Sequence, residues 1–291
     1  MDNEIILPEV RDGFKVTAKR KKLWRVEMEI LREFDRVCQK YGITWYADYG
    51  TLLGAVRHQG FIPWDDDIDV SIMRKDYNRF IEAASKEFSF PYKVHDPEND
   101  SLLYFFTKIY NANTSFISYP NVPPERIPQA IFIDVFPLDD IGICGAEEVA
   151  RSFFLISTNL RNGDEIYERE FIESHKLPIS LKDLDVIKTL NRSEIFDIYN
   201  DFSGRHCGIE EYVGYSVEEW LHTDYKPRKR IWYGEPVMLQ FEDIMLPCPC
   251  DYEKCLEAEY GDWKVFKKPE NGIYHKAIIE PDIPYMDLMS L

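Results

Sequence analysis

Asp65, Asp66, Asp67 and Asp69 place four carboxylates in five positions of the strip Tyr49 to Met73, YGTLLGAVRHQGFIPWDDDIDVSIM. Oxygen-only clusters suit a hard cation such as Mg²⁺, which prefers carboxylates, waters and substrate phosphates to imidazole or thiolate. Cations held this way are a common basis for phosphoryl transfer. Without a cation, neighbouring carboxylates raise one another's pKa values. The strip also holds Gly50 and Thr51, whose amides and hydroxyl could cradle phosphate where a helix begins. The plainer alternative is a solvated acidic loop after Pro63.

The elements that must position these groups are legible as patterns. Asp67 to Ile72 alternates polar and apolar residues, the mark of a half-buried strand, so Asp65, Asp67 and Asp69 are expected on one face, roughly 6.5 Å apart. A strand over Ile43 to Asp48 precedes the Gly-Thr turn, and a short helix follows it. Asp134 stands in a further apolar strand, Ala130 to Phe136. A carboxylate between apolar neighbours is costly to bury unless paired or metal-bound, so Asp134 reads as a metal ligand or a general base, with a strand-end acid bonded to a turn as the alternative. Arg57 and His58 could stabilise leaving-group charge, or pair with the aspartates. Trp64 could stack on a base or a choline headgroup, or simply pack the loop. Lys108 could contact phosphate or guard a strand edge. Arg228 and Arg230, in Lys226-Pro227-Arg228-Lys229-Arg230, could bind a diphosphate or a charged acceptor, or form a solvated face.

The run resembles the signature of the LicD family of phosphocholine transferases, which includes the fukutin-related proteins and sits in the nucleotidyltransferase-like superfamily. Gly50 and Thr51 match the turn of that pattern, Asp67 and Asp69 its paired acids, and Asp134 its third acid. Phe106 to Asn111, with Lys108, also looks familiar for the family, as does the segment Tyr260-Gly261-Asp262-Trp263 followed by Pro269 and His275. The middle of the chain resembles it least. The resemblance implies an α+β fold: a nucleotidyltransferase-like mixed β-sheet core with flanking helices and a largely helical insert. It implies Mg²⁺, or Mn²⁺ in its place, held by Asp67, Asp69 and Asp134, with Asp65 as a further ligand or an orienting group. Gly50, Thr51, Arg57, His58, Trp64 and Lys108 would contact the donor, and Arg228, Arg230 and His275 the substrates. The donor would be a CDP-alcohol, typically CDP-choline, with CDP-ribitol and CDP-glycerol open. Its phospho-alcohol would pass to a sugar hydroxyl of a cell-surface glycan or glycolipid precursor, such as lipopolysaccharide or teichoic acid, with release of CMP and Asp134 as base. Two alternatives stand beside this: a nucleotidyltransferase that releases pyrophosphate, and an inactive binding protein of the same fold.

Composition sets the outer bounds. With 291 residues, 45% hydrophobic and 30% charged, the chain can bury a substantial core. A formal charge of -17 argues against a general nucleic-acid binder. No apolar run approaches the ~20 residues of a membrane-spanning helix. Met1 to Val10 lacks a basic start and an apolar stretch, so no signal peptide is expected and a cytoplasmic location is. Contact with the inner face of a membrane is left open by Lys19-Arg20-Lys21-Lys22. Cys248, Cys250 and Cys255 lie close together without the spacing of paired zinc knuckles, so a zinc site competes with buried small hydrophobes.

The expected organisation is an N-terminal extension (1–18), a catalytic core (19–141), a helical insert or lid (142–225), and a C-terminal hairpin and helix packed on the core (226–291). Helices are expected at Thr17 to Tyr41, Asp76 to Phe88, Glu147 to Arg161, Ser193 to Phe202 and Asp251 to Tyr260. Strands are expected at Tyr92 to His95, Leu102 to Tyr110 and Thr114 to Ser118, and a hairpin at Trp232 to Leu246.

Overall fold

The computed structural model describes residues 6–95, 104–141, 180–205, 228–266 and 277–290, with shorter pieces at 152–154, 156–157, 208 and 211–215. Helix α1 (Ala18–Tyr41) starts and stops where its end signals stand. The Thr17 side chain accepts the Arg20 N–H, and Gly42, in the left-handed region at φ 60°, closes the last turn on the Cys38 and Gln39 carbonyls. A left-handed closing residue favours glycine, which has no Cβ to clash. Its apolar residues at spacings of three and four, Leu23, Met28, Leu31, Phe34, Val37 and Cys38, are buried, and Trp24, Val26 and Ile30 join them.

The main sheet is built on β8 (Ile131–Asp140), whose first nine residues are buried. Such a near-continuous apolar run suits a strand covered on both faces. Strand β4 (Asp69–Met73) runs parallel to β8, in register from Asp69 opposite Asp134 to Met73 opposite Leu138. Along the other edge lie first β6 (Thr107–Asn111), antiparallel, with Lys108 opposite Asp134, and then β9 (Tyr212–Gly214). Strands β3 (Tyr46–Ala47), β5 (Tyr92–Val94) and β10 (Arg228–Lys229) complete seven strands. The sheet is mixed and the fold is α+β, as expected. Smaller pairs are β1 (Glu9–Arg11) with β2 (Phe14–Val16), β7 (Ser115–Ile117) with β13 (Ile278–Glu280), and the hairpin β11 (Val237–Phe241) with β12 (Ile244–Cys248).

Helix α1 lies against β8 and β6, and α3 (Arg74–Glu87) packs on α1 and β8. A second, aromatic cluster includes Phe105, Phe106, Phe136 and Phe154 with Tyr199. It gathers α4 (Leu181–Thr189) and α5 (Arg192–Arg205) to the sheet. Buried Arg74 anchors this junction: its Nε donates to Asp139 at 2.5 Å and its Nη2 to the Tyr199 hydroxyl at 2.6 Å. The stretch 142–225 thus contributes β9 to the main sheet as well as helices. Beyond the hairpin come α6 (Tyr252–Tyr260), ended by Gly261 at φ 64°, and α7 (Tyr285–Met289).

Several expected boundaries shift. The strand expected over Ile43 to Asp48 is only Tyr46–Ala47, because Asp48 leaves it to cap the next helix. The strand expected from Asp67 begins at Asp69, and that expected from Leu102 begins at Thr107. The helix expected over Glu147 to Arg161 lies largely outside the described residues; 152–154 and 156–157 are helical. Among the described residues no helix is long and apolar enough to cross a membrane.

Candidate functional site

Helix α2 (Tyr49–His58) opens the site. Asp48 caps it, accepting the Tyr49 N–H at 2.9 Å, while Ser71 Oγ and Arg228 Nη1 (2.6 Å) donate to the same carboxylate. Gly50, in the first turn, is required by close approach. A Cβ there would lie 2.5 Å from Asp65 Oδ2, so only glycine lets that carboxylate rest against the turn. Thr51 Oγ1 accepts the backbone N–H of Asp69 at 2.8 Å. The Gly-Thr turn therefore grips the acidic strip at both ends, and its amides form the positive end of the α2 dipole beside the acids.

The acids come together by a route the alternation pattern did not predict. Residues 65–68 are not strand, and Asp65, Asp66 and Asp67 each offer an oxygen within 4.8 Å of the others. Among the described residues this is the group with metal-ligand spacing. Asp66, which a two-residue period places on the opposite face from Asp65 and Asp67, joins them here. The loop is held from α1: Arg20 Nη1 donates to the Asp65 carbonyl at 2.5 Å and the Trp64 carbonyl at 3.0 Å, and Trp24 Nε1 donates to the Asp65 carbonyl at 3.0 Å.

On the sheet, Asp69 and Asp134 stand in register on adjacent strands, and Lys108 joins them from β6. Lys108 Nζ lies 2.6 and 2.9 Å from the two Asp134 oxygens and 3.7 Å from the Phe132 ring centre. Burial pushes the Asp69 carboxyl well above the usual range, with Asp67, Asp134, Asp65 and Asp48 adding to the effect. Burial, then Asp67 and Asp66, does the same to Asp65. Burial, then Asp67, Asp66 and Asp65, raises the Glu27 carboxyl on α1 well above its usual range. Nothing in the sequence marked Glu27, which sits between apolar residues of a helix like any spacing charge. Tyr260, at the end of α6, also feels these acids: burial, then Glu259, Asp69, Asp65 and Asp48 raise its hydroxyl.

The donor set tests whether a divalent cation fits. Every group is a carboxylate oxygen, the charges press on one another, Arg20 opposes them at Asp65 and Lys108 pairs with Asp134. A hard divalent ion suits that set, and imidazole-seeking or thiolate-seeking metals do not.

The flanking candidates take internal partners. Arg57 donates to the Trp263 carbonyl at 3.1 Å and lies 4.1 Å from the Phe266 ring centre, and burial lowers its pKa. His58 Nδ1 is 2.7 Å from Asp12 Oδ2, and burial lowers its pKa against the pull of Asp12. Trp64 is buried and meets Phe14, His58 and Phe266 edge-on. Arg228 is 1% exposed and pairs with Asp48, and Arg230 pairs with Asp140. His275 lies outside the described residues. Cys248 and Cys255 are buried thiols pushed up to about 12 by burial, and Cys250 Sγ meets the Trp232 carbonyl at 3.2 Å.

Residues 42–148 match the model of the LicD/FKTN/FKRP nucleotidyltransferase domain. The chain is 34% identical over 129 residues to the lipopolysaccharide cholinephosphotransferase LicD of Haemophilus influenzae, covering 44% of this chain and 46% of that protein. It is 36% identical over 66 residues to an uncharacterized protein of Rickettsia typhi, covering 23% of this chain and 21% of that protein. It is 46% identical over 48 residues to another from Rickettsia prowazekii, covering 16% and 18%. The chain thus spans less than half the length of the curated relatives it matches.

Proposed function

We propose, from the LicD-family nucleotidyltransferase domain carried by residues 42–148, that this chain is a divalent-cation-dependent phosphotransferase. It moves a phospho-alcohol, phosphocholine first among the candidates, from a CDP-alcohol to a sugar hydroxyl of a cell-surface glycan such as lipopolysaccharide, and CMP leaves. The observation that carries the reading is the register of Asp69 and Asp134 across β4 and β8, directly beside the first turn of α2. It places two sheet-borne carboxylates next to a helix end suited to phosphate.

Each residue then has a task. Asp67 and Asp69, with Asp65, would hold Mg²⁺ or Mn²⁺. Bound there, the cation neutralises diphosphate charge that these acids would otherwise repel. The first-turn amides of α2 orient the donor phosphates, and Gly50 keeps that approach open. Lys108 pairs with Asp134 at 2.6 Å and offers a positive partner for phosphate oxygens. The acceptor oxygen attacks the phosphorus bearing the alcohol, the bridging P–O bond to the CMP phosphate breaks, and the acceptor proton passes to Asp134. The 34% identity to a lipopolysaccharide cholinephosphotransferase supports choline as the alcohol and a glycolipid as the acceptor.

The test is product analysis. The full chain is incubated with Mg²⁺ and CDP-choline, CDP-ribitol, CDP-glycerol or CTP, with a deacylated lipopolysaccharide acceptor. Release of CMP and acceptor-dependent transfer from one CDP-alcohol is expected. Pyrophosphate release from CTP, with no CMP from any CDP-alcohol, would replace the reading with nucleotidyl transfer.

A further inference from the structure

The face of the main sheet that carries Asp134 also carries a cluster of rings. Phe132 and Asp134 share that face of β8, as Lys108 and Tyr110 share it on β6, because side chains two apart on a strand point the same way. The register sets Lys108 opposite Asp134 and Tyr110 opposite Phe132. Phe116 of β7 meets Phe132 edge-on at 5.1 Å. These rings, with Tyr104 and Tyr119, line a cavity of about 140 Å³ that has Lys108 on its wall. Its floor is buried and its rim open: Tyr110, Phe116 and Phe132 are at most 9% exposed, whereas Tyr119 is 37% exposed. The rim is held in place. The Tyr119 backbone exchanges two hydrogen bonds of 2.8 Å with the buried Gln129 amide, and the Tyr104 and Tyr119 hydroxyls lie 3.1 Å apart. The rings already hold a cation, since Lys108 Nζ lies 3.7 Å from the Phe132 ring centre, 5.2 Å from that of Phe106 and 5.6 Å from that of Tyr104. Asp134 meets the same ammonium at 2.6 Å.

We propose that this cavity is the subsite for a quaternary ammonium on the donor's alcohol, and so selects choline over ribitol or glycerol. The proposal rests on the phosphotransferase reading and adds to it where the headgroup sits. A trimethylammonium group donates no conventional hydrogen bond, and ring faces attract it electrostatically, more strongly where water is excluded. A polyol would instead need a partner for each hydroxyl it buries, and Tyr104, Tyr119 and Gln129 are engaged with one another. Lys108 suits the rest of the ligand. Phosphocholine carries its phosphate two carbons from its ammonium, so the phosphate can meet Lys108 on the side of the cavity nearest Asp134 while the ammonium lies among Tyr104, Tyr110 and Tyr119. Asp134 counters the Lys108 charge that the ammonium would otherwise feel.

Calorimetry on the full chain with Mg²⁺ present tests this. The ligands are CMP, CDP-choline, CDP-glycerol and the uncharged isostere of CDP-choline in which carbon replaces the quaternary nitrogen. Wild type, Y119L, Y119F and Y104L are compared. Wild type is expected to bind CDP-choline about fivefold or more tightly than either CDP-glycerol or the isostere. Y119L and Y104L are expected to lose most of that preference and to keep wild-type affinity for CMP, whereas Y119F, which retains the ring, keeps the preference. Equal wild-type affinity for CDP-choline and its isostere, or an unchanged preference in both leucine variants, overturns the subsite and leaves the phosphotransferase reading standing. Should no CDP-alcohol bind to wild type, that reading fails and the subsite with it. The comparison of charged and uncharged donors on wild type needs no substitution, so it decides the matter if a leucine variant fails to fold.

Discussion

Gly50 and Asp65 approach so closely that the smallest side chain at position 50 would meet the Asp65 carboxylate at 2.5 Å. The contact fixes where that carboxylate sits relative to the first turn of α2. Alanine within a helix ordinarily gains about 0.8–1 kcal/mol over glycine. G50A is expected to forfeit that gain and to drive Asp65 out of place. Cation affinity should therefore fall at least tenfold while stability changes by about 1–3 kcal/mol in the unfavourable direction. Isothermal titration with Mg²⁺ beside urea denaturation checks this; wild-type affinity in G50A would show that Asp65 is not held by the turn.

Lys108 is the main-sheet partner of Asp134, and both side chains are largely buried, at 12% and 11% exposure. Breaking a buried pair from one side costs about 3–5 kcal/mol, because the remaining charge is stranded. K108M is expected near the low end of that range, since some water reaches the pair. Adding D134N should recover part of the loss, a coupling that a double-mutant cycle in urea measures. Purely additive losses would mean that the pair is not coupled.

Asp65, Asp69 and Glu27 hold their protons more tightly in the folded chain than in the unfolded one. Below about pH 4, the unfolded carboxylate range, both states are protonated and these groups leave stability unchanged. As pH rises above it, the unfolded chain releases protons that the folded chain retains, so their contribution turns against folding until the folded pKa values are passed. In chelator, D69N is therefore expected to gain stability relative to wild type as pH increases from 4 to 8. Mg²⁺ competes with these protons, so its stabilisation of wild type should be larger at pH 8 than at pH 5. Thermal unfolding across that range checks both signs, and a pH-independent Mg²⁺ effect would contradict them.

Arg228 and Asp48, at 2% and 3% side-chain exposure, form the most enclosed ion pair of the site. R228L is expected to destabilise by about 3–5 kcal/mol, and R228L with D48N by less. A substrate-contact role predicts the opposite pattern: normal stability with a raised KM. Urea denaturation and steady-state kinetics on the same variants separate the two.

What the sequence made legible follows the range of the signal. The limits of α1 were readable because Thr17 and Gly42 act on neighbours within one turn. Asp134 stood out because an acid in an apolar run does so wherever the strand lands, and the strand register sets it opposite Asp69. Asp66 was set on the wrong face because period-two alternation holds only in a strand, and the strand begins at Asp69. The burial of Glu27 was missed because a charged residue on a helix is ordinarily solvated, and only the tertiary fold encloses it. The use of Arg228 was hidden for the same reason: its partner lies 180 positions earlier in the chain.

The cap residue Asp48 carries a consequence for how this unit can be cut and moved. It belongs to the segment 42–148 that matches the family domain, but its counter-ion comes from β10, and the loop bearing Asp65 hangs on Arg20 and Trp24 of α1. Both supports lie outside that segment. The matched stretch is therefore not a portable cassette: grafted or expressed alone, it would carry Asp65 without Arg20 and Trp24, and Asp48 without Arg228.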